Sequence, residues 1–203
     1  MLDAVRQSAS AYRSAEGDPG SAHFAPYLAL NRLALDAVSA GARRTPDSAA
    51  VPLAQQCRTA ARQRFTESGQ LWDAVMQCEA LLVQRLLEGR LAGDDDEGRA
   101  AFEEIARAYE ETLDNTPVRP SQLDTIVSQI EILSRFHDAL AHAQRDAARR
   151  LIADRLLELV QRIRPGRAPR TDRPAPAAKR AARGRPSART RPKPKRASKG
   201  NKA

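Results

Sequence analysis

A chain of 203 residues, 41% hydrophobic and 29% charged with a net charge of +9, has apolar material for one ordinary globular domain and an appendage. The charge is uneven: residues 162–203 hold sixteen Lys and Arg against one acid, Asp172, a net +15, leaving eighteen basic and twenty-four acidic residues, −6, in the rest. No apolar run approaches the roughly 20 residues of a membrane-spanning helix, the start lacks the pattern of a signal peptide, and Cys57 and Cys78 suit neither a disulfide framework nor a metal knuckle, so a reducing cytoplasmic setting without membrane contact is expected.

Up to about residue 163, apolar residues recur at helical spacing and no alternating strand pattern competes. Helices are predicted at 2–16, 26–40, 50–67, 70–89, 97–114, 121–140 and 142–163, separated by Gly-, Pro-, Ser- and Asp-rich breaks. The fold class is therefore all-α: residues 1–163 form a short tetratricopeptide-like α-solenoid or an irregular antiparallel helical bundle, and 164–203 form a disordered basic tail.

The first helix carries an apolar stripe, Leu2, Val5, Ala9 and Tyr12, that must pack on a later helix or on a partner. In the second, Tyr27, Leu30, Leu33, Ala34, Ala37 and Val38 share a broad apolar arc, with Arg32, Asp36 and Ser39 opposite. Asn31 falls inside that arc, so its amide needs either an interhelical hydrogen bond or a ligand. The fourth helix is apolar around most of its circumference, which predicts a central position. Glu79 interrupts its apolar side and needs a cation or several donors; Arg85 is one internal candidate, a ligand the other. The Asp94 to Glu97 run supplies the start of the fifth helix, and Ser121 with Asp124 that of the sixth. In the sixth, Gln129 lies at the edge of the stripe made by Ile126, Ile130 and Leu133, and His137 projects into it, as a satisfied core histidine or as a ligand contact.

Catalytic chemistry is poorly supplied. There is no phosphate-cradling GxxxxGK, no HExxH and no GxSxG. All five lysines fall at Lys179 or later, and His23, His137 and His142 are not spaced as a metal set. A non-enzymatic protein without metal or cofactor is expected.

AYRSAEGDP at 11–19 and AFEEIARAYEETL at 101–113 have the cadence of tetratricopeptide helices. Together, FAPYLALNRLALDAV at 24–38, LWDAVMQCEALLVQRLLEG at 71–89 and YEETLDNTPVRPSQLDTIVSQIEIL at 109–133 resemble the tetratricopeptide repeat-sensor domain of bacterial conflict systems. The positions matching its recurrent residues are Tyr27 and Asn31, Trp72 and Glu79, Ser121 and Gln129. The resemblance implies a sensor or adaptor in bacterial defence or signalling that binds a small, nucleotide-derived ligand or a partner effector protein. With His137 added from the helical pattern, the candidate ligand-binding set is Tyr27, Asn31, Trp72, Glu79, Gln129 and His137.

The basic segment contains no Phe, Tyr or Trp, so it offers charge without base stacking. Arg180, Arg183, Arg185, Arg189, Arg191, Lys193, Lys195 and Arg196 are its candidate nucleic-acid contacts, which would neutralise phosphates without reading sequence. A nucleic-acid-associated protein that binds DNA or RNA non-specifically through this tail is thus the alternative function; a solubilising extension is the other account of the same residues.

Overall fold

The computed structural model describes residues 2–19, 21, 23–41 and 49–164. The expected tail and its eight candidate contacts lie, Arg164 apart, outside the described residues. Within them the fold is all-α: α1 (Leu2–Ala15), α2 (Pro26–Ala40), α3 (Ala50–Ser68), α4 (Leu71–Leu87), α5 (Asp96–Asn115), α6 (Pro120–Gln144) and α7 (Ala147–Ile163), with one 3₁₀ turn at Arg90–Ala92. No helix among them is long and apolar enough to cross a membrane.

The boundaries follow from local chemistry. Pro26 and Pro120 start α2 and α6, where a missing N–H costs nothing. Gly69, at φ 62°, closes α3 by donating its N–H to Phe65 O at 2.8 Å. Asp95 caps α5 by accepting from Gly98 N–H at 2.8 Å, as the acidic run predicts. Two boundaries differ from expectation. Ser121 lies within the first turn of α6, and the flanking residue is Arg119, whose N–H donates to Gln122 Oε1 at 3.0 Å. α6 also runs through Ala139 to Ala143, strong helix formers, and stops only at Arg145. There Asp146 accepts from the N–H groups of Ala148 and Arg149 at 3.0 and 3.2 Å and starts α7.

Short links fold consecutive helices into antiparallel hairpins, α1 on α2, α3 on α4 and α6 on α7, while α5 packs between α4 and α7. The stripe of α1 is covered by its neighbours, Val5 clustering with Val38 and Leu140. α4 is the central element: eleven of its seventeen residues are buried, and they serve two cores, one shared with α5, α6 and α7, the other with α2 and α3. A different outcome awaits Arg32, which the helical wheel places opposite the apolar arc. It is buried, because the end of α1 brings Glu16 over it.

The 3₁₀ turn and the start of α5 meet very closely. A Cβ on Gly98 would stand 2.1 Å from Gly93 O and 3.0 Å from Arg90 O, both backbone atoms that cannot swing aside. Gly98→Ala is therefore expected to lose stability despite the better helix propensity of alanine, by about 1–3 kcal/mol, the usual cost of overpacking. Urea denaturation checks this, and an unchanged midpoint would show that the turn yields.

Candidate functional site

Five helices line a half-open cavity of about 260 Å³. Successive turns of α2 contribute Tyr27, Asn31 and Ala34, and α4 contributes Glu79, Leu82 and Val83. From α6 come Gln129, Ile130, Leu133 and Phe136, from α5 Tyr109, and from α1 Tyr12. Most of this wall is ordinary amphipathic helix surface, which is why it assembles. The polar groups within it are exceptions to the pattern.

Gln129 Nε2 donates to Tyr27 Oη at 3.0 Å, joining residues 102 apart in the chain. The other amide atom, Gln129 Oε1, is buried without a hydrogen-bond partner. Glu79 is half-buried among apolar side chains, and no hydrogen bond or ion pair to it occurs among the described residues. Burial pushes its carboxyl up to about 7, since the charged form is the one that loses solvation. Arg85, the internal cation considered above, is engaged elsewhere: Nη1 lies 2.6 Å from Glu88 Oε2 and Nη2 lies 2.7 Å from Glu104 Oε2. Tyr109 is 1% exposed, and its phenol is raised well above its ordinary range by burial, then by the nearby Glu79 and Cys78. Among the described residues no Lys, Arg or His lines the cavity.

The structure thus brings together four of the six candidate residues, Tyr27, Asn31, Glu79 and Gln129. Trp72 is not among the lining residues; it is 41% exposed on the first turn of α4, roughly 10 Å along the axis from Glu79 at 1.5 Å per residue. His137 does not line the cavity either. It is 1% exposed on the side of α6 nearest Arg149 of α7, and neither ring nitrogen has a hydrogen-bond partner. Burial, then the charge of Arg149, lowers its pKa to about 4, so the ring is neutral. Ser121, the remaining family match, is exposed at the start of α6. Sequence reasoning missed Tyr12, Tyr109 and Phe136: Tyr12 reads as part of the apolar stripe of α1, and Tyr109 lies in the tetratricopeptide-like run at 101–113. Their phenols were the available signal.

Two larger hollows lack this character. In one of about 300 Å³ between α3, α4 and α5 the buried Cys78 Sγ is already engaged, lying 3.2 Å from Thr112 Oγ1 and 3.4 Å from Ala108 O. Another of about 700 Å³ beside Phe24, Pro52 and Thr59 is a surface depression over α3, where Thr59 Oγ1 already donates to Gln55 O at 3.0 Å. Among the described residues no group of three His, Cys, Asp or Glu could hold a metal ion, and both cysteines are buried and free.

Fold and cavity together define an all-α helical module with an aromatic-lined, acidic pocket where α1, α2, α4, α5 and α6 meet. No family model, curated protein or solved structure matches the chain.

Proposed function

We propose that this chain is a non-enzymatic helical sensor or adaptor that takes a small ligand into the five-helix cavity and relays its presence to a partner effector protein. The observation that carries this reading is the placing of Glu79, a carboxyl without an internal partner among the described residues, on one cavity with Gln129, Tyr27 and Asn31. A cavity serving only packing has no use for a carboxyl that must be desolvated without a partner. Local inconsistencies of this kind concentrate at functional sites. The resemblance to the tetratricopeptide repeat-sensor domain adds the setting, bacterial defence or signalling in the cytoplasm. It also suggests a nucleotide-derived ligand, which would enter by its base or nucleoside portion, because the described residues of the wall include no cation for a phosphate.

The test is a thermal-shift screen of the full chain against nucleosides, nucleotides, NAD-derived compounds and organic amines. A ligand that binds only the folded state raises the melting temperature, by RT ln(1 + [L]/Kd) in free energy. A saturable shift is expected that Asn31→Ala and Glu79→Ala abolish and that deletion of residues 164–203 leaves intact. No shift across the panel would overturn the reading.

A second reading, non-specific DNA or RNA binding, rests on the +15 charge of residues 162–203. The same deletion separates the two, because it removes salt-sensitive polyanion binding while sparing the cavity.

A further inference from the structure

The balance of charge and hydrogen-bonding groups in the cavity narrows the ligand further, an inference that rests on the cavity being a ligand site. Of the described side chains that line it only Glu79 is a carboxylic acid, and none is a Lys, Arg or His. An anion placed there would meet a carboxyl with no cation to offset it, at a low effective dielectric where like charges repel strongly. The unmet group points the other way. Glu79 has no donor among the described residues. Around it stand four aromatic rings, Tyr12, Tyr27, Tyr109 and Phe136, whose electron-rich faces attract cations.

We propose that the ligand is a primary organic amine, whose ammonium group meets the Glu79 carboxylate inside this aromatic enclosure and whose apolar body lies along Leu30, Leu82 and Leu133. An ammonium carries three N–H donors and supplies the donor that Glu79 lacks. A quaternary ammonium would gain the aromatic contacts but give Glu79 no hydrogen-bond donor, so the primary amine is the better fit. The volume of about 260 Å³ suits a small molecule. Because ammonium binding requires the ionised carboxylate, a proton must leave Glu79 wherever the free protein holds one. Among the described residues the other titratable groups at the cavity are Tyr12, Tyr27 and Tyr109, with Cys78 behind them; Glu79 is the sole carboxyl.

The test is isothermal titration of the full chain with phenethylamine, 2-phenylethanol and 3-phenylpropionate, at pH 6 and pH 8. Phenethylamine is expected to bind at least tenfold more tightly than the alcohol, and 3-phenylpropionate not at all. The amine affinity is expected to fall about tenfold from pH 8 to pH 6, as Glu79 takes up its proton near pH 7. Glu79→Gln, which keeps the side chain's shape, should erase both the amine preference and the pH dependence. If the alcohol or the acid binds as tightly as the amine, the cavity remains a ligand site and the amine assignment is overturned. If none of the three binds at either pH, both the assignment and the ligand-site reading fall.

Discussion

Replacing Arg32 with alanine is expected to remove about 3–5 kcal/mol of folding stability, and replacing Glu16 somewhat less, against the roughly 5–15 kcal/mol that holds a domain of this size together. Arg32 Nε donates to Glu16 Oε2 at 2.7 Å and Arg32 Nη1 to Asp36 Oδ2 at 2.8 Å, while Arg13 approaches Asp36 at 3.5 Å. Arg32 and Glu16 are 7% and 6% exposed, so solvent cannot take over when one partner is removed. Burial acts against the guanidinium charge, yet the hydrogen bonds and charges of Glu16 and Asp36 outweigh it and the pKa of Arg32 is raised. Arg32→Ala leaves the Glu16 carboxylate buried without its cation, while Glu16→Ala leaves Arg32 with Asp36 alone. The double variant Glu16→Leu with Arg32→Met should lose much less than the sum of the two alanine variants, because it removes both charges and keeps the volume. Urea denaturation of these proteins, with the single Glu16→Leu and Arg32→Met variants to complete the cycle, gives the coupling. Single losses below about 1 kcal/mol would mean that the pair is solvated.

The second large effect concerns pH, where Glu79 and His137 act in opposite directions. Glu79 titrates near 7 in the folded chain against an ordinary 4.5, so its protonated form is favoured by folding. Its contribution is full below pH 4.5 and is lost as pH rises through 7. His137 titrates near 4 against an ordinary 6.5, so its contribution is full above pH 6.5 and is lost as pH falls through 4. Each amounts to about 3 kcal/mol at 1.36 kcal/mol per pH unit. Between pH 6.5 and 4.5 the two slopes oppose each other, and the wild-type chain should show little net dependence from this pair. Glu79→Gln should unmask the histidine and become about 3 kcal/mol less stable, relative to wild type, on going from pH 7.5 to pH 4. His137→Leu should show the reverse, gaining relative to wild type as the pH falls. Denaturation midpoints across this range check both, read as variant minus wild type so that the other carboxylates cancel. Identical profiles for Glu79→Gln and wild type would contradict the burial of an unpartnered carboxyl.

Much of this molecule was legible before its structure. The helical period predicts all seven helices, because alternation and strand-forming runs are absent, and the nearly all-apolar surface of 71–87 marks α4 as central. The polar exceptions Asn31, Glu79 and Gln129 were legible for the same reason, each standing out against an apolar face. What a helical wheel supplies is an angle; it says nothing of height along the axis or of which neighbour lies opposite. Trp72 shares its direction with Glu79 to within about 20°, since seven residues nearly complete two turns, but it sits those two turns away from the cavity. His137 lies eight residues from Gln129 and is turned by about 80°, enough to face α7 instead. Tyr12 and Tyr109 reach the cavity from α1 and α5, whose docking is a tertiary event that no local pattern announces. Arg32 was misplaced for the same reason: the residue that buries it belongs to the link after α1.

The account turns on Glu79 being a carboxyl without an internal partner, held at a cavity that accepts a ligand. Carboxyl carbon NMR of the full chain, with Glu79 assigned by comparison with Glu79→Gln, tests this most directly. A titration midpoint near 7 is expected, moving down by at least one unit when phenethylamine is added, because the ammonium stabilises the charged form. A midpoint near 4.5 that does not respond to the amine would show that Glu79 is already solvated or paired, and would contradict the account.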